Sequence, residues 1–271
     1  MRGWSALAAL AAFAALLLTP QGCVALQRAA LPMAERLQPR ALFRVPTDEP
    51  VYVLTIDDGP SARTHEILDL LAAHDAHATF FLLTGDLDEA GVAAMRRAVA
   101  EGHEIALHGE RDRKPTALDG DAFAAMVARS DRALRRIAEP APFYRPGRGA
   151  FDADRMDAAL VAGGHRAPLG DERLYVLASL IPWDAGGATE TGDPRRNADR
   201  ARRYADQLAA GLRPGVIVVF HDGDGEAGER AERLDATLVS LPRFLAAAKA
   251  RDYRGVTLSE AATYPRQDEP R

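Results

Sequence analysis

The sequence predicts an α/β fold: a distorted, TIM-like (β/α) barrel of about seven strand–helix units. Three observations predict it. Short β-branched or aromatic runs alternate with stretches of helical periodicity from Val51 to Leu258. The chain, at 271 residues, is long enough for one such domain and a leader. Polar residues stand directly after the apolar runs. In a β/α barrel every strand ends on the same side, and the active site is built there.

The leader comes first. Arg2 precedes an uncharged Ala- and Leu-rich run from Trp4 to Leu18, too short for a comfortable membrane span and shaped like a secretory signal. Cys23, the single cysteine, follows at once. Gly22 before it fits a lipoprotein signal, whereas Pro20 stands where such signals usually carry Leu. A lipoprotein leader, a cleaved signal and an uncleaved anchor all stay open over residues 1–23. Each places the rest of the chain outside the cytoplasm. One cysteine allows no internal disulfide, so the core must hold the fold. Residues 24–50 carry Pro32, Pro39, Pro46 and Pro50 without sustained periodicity, and read as a tether. The domain is expected over 51–262 and a tail over 263–271.

Val51-Tyr52-Val53-Leu54 leads into Thr55-Ile56-Asp57-Asp58-Gly59-Pro60. This reads as a buried strand stopped by a Gly-Pro turn that re-aims two carboxylates into one pocket. On an ideal strand the two would diverge. A helix is expected over 64–74, with Ile67, Leu68 and Leu71 on one face, and a strand over 78–83. A second helix over 89–101 stops at Gly102, before a short strand over 104–107. Phe123, Met126, Val127, Leu134 and Ile137 recur at helical spacing over 119–137. Residues 142–144 are extended, 152–161 helical, and 174–178 a strand. A helix over 196–210 precedes the clearest buried strand, Val216-Ile217-Val218-Val219-Phe220. Leu234, Leu238, Leu241, Leu245 and Ala248 mark a last long helix with a kink expected at Pro242, and 254–258 a last strand.

A net charge of −5 argues against a nucleic-acid partner, which would need a basic surface. A monomer is expected. The residues that follow the strands are Asp57 and Asp58, His108, Arg145, Asp184 and His221. Five strand ends thus deliver carboxylates, histidines and an arginine to one rim. His74 and His77 read as structural or solvated, and His103, which precedes a strand, faces away from the pocket.

The order and spelling of these residues resemble the NodB-homology polysaccharide deacetylases, carbohydrate esterase family four, over residues 51–258. Thr55-Ile56-Asp57-Asp58-Gly59-Pro60 is similar to the family's first motif. The stretch from Gly102 to His108 resembles the second, Arg145-Pro146 the third, Pro182-Trp183-Asp184 a variant of the fourth, and Val218-Val219-Phe220-His221-Asp222 the fifth. Several positions depart. Asp112 stands where the second motif has its other His, Gly147-Arg148 where the third has Pro and an aromatic residue, and Leu107 where the family usually has Asn.

The resemblance implies hydrolysis of the amide of an N-acetylated glycan. It implies one divalent metal ion held by Asp58, His108 and Asp112, Asp57 as general base held in place by Arg145, and His221 as the acid that protonates the leaving amine. Asp184 would orient His221. Tyr144, Trp183 and Arg148 would meet substrate, Arg148 through its backbone N–H. Independent chemistry agrees: an acetamide is a poor electrophile, water a poor nucleophile, and a bound cation remedies both. Two carboxylates and one imidazole suit Mn²⁺ or Co²⁺, and Zn²⁺ accepts the same donors. Related amidohydrolysis of another substrate, and a non-catalytic glycan-binding lipoprotein, are the alternative readings.

Overall fold

The computed structural model describes residues 20–150, 175–180, 194–222 and 231–264. Strand β1 (Ala41–Leu42) follows helix α1 (Pro20–Leu37). Next come β2 (Val51–Asp57), α2 (Thr64–Ala73), β3 (Thr79–Leu83), α3 (Glu89–Ala100), β4 (Glu104–Gly109) and α4 (Gly120–Leu134). After them stand β5 (Tyr175–Val176), α5 (Pro194–Gly211), β6 (Ile217–His221), α6 (Ala231–Lys249), β7 (Arg254–Val256) and α7 (Leu258–Ala261). The expected alternation is present over the described residues, where every ladder between these strands is parallel and a single bridge, Arg44 to Val216, is antiparallel. Residues 1–19 of the expected leader and the helix over 152–161 lie outside the described residues, while residues 20–23 belong to α1.

Strand β2 is the hub. It is buried at all seven positions, as a parallel strand covered on both faces must be. It pairs with β6 along one edge, and with β7 and then β3 along the other. β4 extends the sheet beyond β3. β1 and β5 form a separate ladder. Single bridges join the two parts, from Leu107 to Tyr144, from Tyr144 to Tyr175, and from Leu180 to Val218. The circuit is therefore barrel-like, but among the described residues no continuous ladder closes it.

Alternation along the strands separates two cores. Tyr52, Leu54, Ile56, Phe80, Leu82 and Phe220 face outwards, packed with Ile67, Leu71, Met95 and Phe123 of the helices. Val51, Val53, Phe81, Ala106, Ile217 and Val256 face inwards. The inward face of β2 thus continues upward as Val51, Val53, Thr55 and Asp57. The barrel interior is apolar below and becomes polar where the strands end.

Helix ends follow local chemistry. Asp88 caps α3 by accepting from the Gly91 N–H at 2.7 Å, and Asp119 caps α4 by accepting from the Ala122 N–H at 2.7 Å. Helix α4 stops at Leu134, short of the expected Ile137. Pro242 lies inside α6.

Residues 24–50 differ from expectation. They are not a bare tether: α1 and β1 lie there, and Leu31 and Ala34 pack on the outer core. Ala41, Leu42, Phe43 and Val45 are buried. The prolines masked a short apolar face at helical spacing, and Pro32 is accommodated within α1.

Candidate active site

Asp57 and Asp58 part company through the backbone of Asp58. Asp57 is the last residue of β2. Asp58 takes a left-handed φ of 68°, a conformation that Asp tolerates better than most residues. The turn therefore begins one residue before Gly59 and swings the second carboxylate away from strand alternation. Gly59 has its own reason. A Cβ there would lie 2.8 Å from a carboxylate oxygen of Asp222.

That Asp222 carboxylate is fully buried. Ser61 Oγ donates to one of its oxygens at 2.7 Å and Thr64 Oγ1 to the other at 2.6 Å. Its N–H donates to the Asp57 carbonyl at 2.8 Å. It ties the turn after β2 to the end of β6. In the sequence, Asp222 is marked only by its place next to His221.

Asp57 is held by Arg145. The guanidinium Nη1 donates to Asp57 Oδ1 at 2.6 Å and to Thr55 Oγ1 at 2.7 Å. Nε and Nη2 donate to the carbonyls of Val176 and Leu177, each at 3.2 Å. The guanidinium carbon sits 4.3 Å above the Phe81 ring. Burial lowers the Arg145 pKa, while the Asp57 charge and hydrogen bond oppose that shift. Both partners are buried. Removing either one from such a pair costs about 3–5 kcal/mol. Thr55 is a further residue that sequence reasoning missed. Its position two residues before Asp57, on the same strand face, was the signal.

His108 owes its direction to a bulge. Leu82 pairs with Leu107 but Leu83 with Gly109, so His108 is the extra residue in β4. Bulges re-aim side chains in this way, often beside active sites. His108 Nδ1 lies 2.7 Å from the Arg145 carbonyl. A carbonyl only accepts, so Nδ1 carries the proton and donates. Nε2 then faces Asp58 Oδ1, 3.3 Å away. Burial works against a charged imidazole, but the Asp58 hydrogen bond and the charges of Asp57 and Asp58 outweigh it and raise the pKa.

Asp112 completes the group. Donor atoms of Asp58, His108 and Asp112 all lie within 4.8 Å of one another, and all three residues are buried. The donor set fits a divalent cation: two carboxylate oxygens and an imidazole nitrogen whose other nitrogen is fixed by a carbonyl. That ring orientation is the one a metal-ligating histidine needs. Beside the group, a cavity of about 360 Å³ runs from Asp58 and Asp112 past Ser61, Leu83, Leu87 and Glu110.

His221 ends β6 in register with Asp57, so the two residues sit side by side on adjacent strands. Arg148 Nη2 is 3.3 Å from Asp112 Oδ2, and its Nε donates to the Asp112 carbonyl at 3.4 Å. Tyr144 is a correction. Expected to meet substrate, it is 2% exposed and packs edge-on against Phe123 and Tyr175. Burial raises its pKa. Its ring completes the outer core because the residue after it, Arg145, points inwards. Trp183 and Asp184 lie outside the described residues. His103 faces away from the site, as expected, buried among Phe80 and His77.

A family model described as Polysaccharide deacetylase matches residues 44–166. A chitooligosaccharide deacetylase of Sinorhizobium fredii is 30% identical over 224 residues, covering 79% of this chain and 93% of that protein. The chitin deacetylase of Colletotrichum lindemuthianum superposes with a TM-score of 0.66 at 21% identity, over 84% of this chain and 93% of that one. A family 4 acetyl xylan esterase of Clostridium thermocellum, solved with a cobalt ion, gives a TM-score of 0.58 at 25% identity. That match covers 79% of this chain and 93% of the esterase.

Proposed function

The chain belongs to the polysaccharide deacetylase family, carbohydrate esterase family four, and we propose that it removes N-acetyl groups from an extracytoplasmic glycan with a divalent metal ion. The observation that supports this most is the buried group of Asp58, His108 and Asp112 beside the Asp57–Arg145 pair. A binding module has no use for a cation site next to a separately anchored carboxylate.

When bound at Asp58, His108 and Asp112, the cation supplies a Lewis acid that polarises the acetyl carbonyl and acidifies water. Asp57 accepts the proton of the attacking water. Arg145 keeps that carboxylate at one position, because its guanidinium is fixed by Thr55 and by two carbonyls. His221, level with Asp57 on the next strand, protonates the departing amine, without which an amide nitrogen does not leave. Asp184 is assigned to orient His221, Trp183 to pack on a sugar face, and the Arg148 N–H to receive the oxyanion.

Relatives differ in the glycan that their names carry, so the substrate is read as an N-acetylated polysaccharide or oligosaccharide of chitin-like or peptidoglycan-like kind. The test is acetate release from a panel of N-acetylated and O-acetylated oligosaccharides, with metal content measured on the same preparation. Acetate release that survives complete metal removal, or a preparation that binds no metal, would refute the reading. The apolar leader and Cys23 support attachment at the cell envelope. Cys23→Ser is expected to move the protein from membranes to the soluble fraction, and an unchanged distribution would exclude lipid at Cys23 as the anchor.

A further inference from the structure

We propose that Arg148 is the charge partner of the third metal ligand, a positioning residue that sets how much negative charge Asp112 delivers to a bound cation. The inference rests on the reading of Asp112 as a ligand.

Charge counting motivates it. Asp58 and Asp112 bring two negative charges, and a ligating imidazole brings none. Two carboxylates around a divalent ion leave no residual positive charge to draw on a carbonyl oxygen. The guanidinium of Arg148, 3.3 Å from Asp112 Oδ2, adds one positive charge at the ligand where it counts. The assembled site then keeps a net positive charge. Two of the positions that depart from the motif pattern, Asp112 and Arg148, thus touch.

The contact is built into the backbone. Arg148 has a φ of 55° within a tight turn, Gly147–Gly149. Gly147 lies so close to the Arg113 carbonyl that a Cβ would come within 2.4 Å of the oxygen. The loop that carries Arg148 is therefore locked onto the loop that carries Asp112. A second contact, from Nε to the Asp112 carbonyl, fixes the direction of the fork. Asp112 is buried, whereas the Arg148 side chain is half exposed, at 52%. The guanidinium thus stands on the more exposed side of the contact.

The arrangement has two effects of opposite sign. Arg148 repels a cation and shares its carboxylate, so it weakens metal binding. It also leaves the bound cation more electrophilic, so it speeds turnover. A residue that merely held the loop would favour both.

Metal affinity for Zn²⁺ and Co²⁺ is read by titration against a chelator, and turnover by acetate release from an N-acetylated chitooligosaccharide. Arg148→Ala is expected to bind metal about tenfold more tightly, because a like charge near the cation is removed, and to turn over about tenfold more slowly. Arg148→Lys keeps the charge and should restore most of both. With Asp112→His the ligand is neutral, and adding Arg148→Ala should then change metal affinity clearly less than in the native background, because only the direct repulsion remains, a coupling that a double-mutant cycle isolates. Weaker or unchanged metal binding in Arg148→Ala, or an equal shift in both backgrounds, would overturn the inference. Asp112→Ala separates the two readings. If it keeps its metal, Asp112 is no ligand and both fail; if it loses metal while Arg148→Ala behaves otherwise than expected, only the role of Arg148 fails.

Discussion

Asp57 and Asp58 are chain neighbours with different backbones, and that difference separates their chemistry. Asp57 keeps strand geometry and meets Arg145. Asp58 takes the left-handed turn and meets His108. Asp57→Asn should therefore abolish acetate release while metal content stays unchanged, because the changed atoms lie outside the donor group. His221→Ala should also keep its metal, and slow turnover by about 10²–10⁴-fold. Metal analysis beside a rate measurement checks both. Metal lost from Asp57→Asn would exchange the roles of the two aspartates, and a near-native rate in His221→Ala would remove His221 from the reaction.

Two elements meet at Asp222, the end of β6 and the turn after β2. Its carboxylate accepts two side-chain hydroxyls in a fully buried setting. Asp222→Ala should lower stability by about 2 kcal/mol, since buried donors lose their acceptor. Thermal unfolding should show this, and adding Ser61→Ala should cost little more, because both changes remove the same bond. Full additivity would mean that the staple is not the cause. Much of this element-level logic was legible in the sequence. Asp57, Asp58, His108, Arg145 and His221 were found because each follows an apolar run, and topology collects strand ends. The bulge that aims His108 was not legible, since it depends on the register of β4 against β3. Tyr144 was misplaced because one residue of offset in an extended piece decides between core and rim. The packing of α1 was hidden by prolines that usually mark a tether.

In the molecule as a whole, the two ends of the strands respond differently to pH. At the end opposite the site, burial and the nearby His77 lower the His103 pKa to about 4, with Glu101 opposing and Arg97 adding to the shift. His103 Nδ1 accepts from the Ala78 N–H at 3.1 Å, so the neutral ring is the one that fits. A base whose pKa falls on folding contributes stability that is complete above about 6.5 and is lost as pH falls towards 4. The loss amounts to at most about 3 kcal/mol. His103→Gln should flatten that part of the stability curve, measured by denaturant unfolding between pH 7 and pH 4; a curve parallel to the unchanged protein's would assign acid sensitivity to other groups. Strand β2 has a different consequence. With β6 on one edge and β7 and β3 on the other, its amides have no route to solvent short of unfolding the sheet. Hydrogen exchange along Val53–Asp57 should then be as slow as global opening. The carboxylate that takes the proton would then be anchored on a strand that opens only with the whole sheet, so the position of the base is as durable as the fold itself.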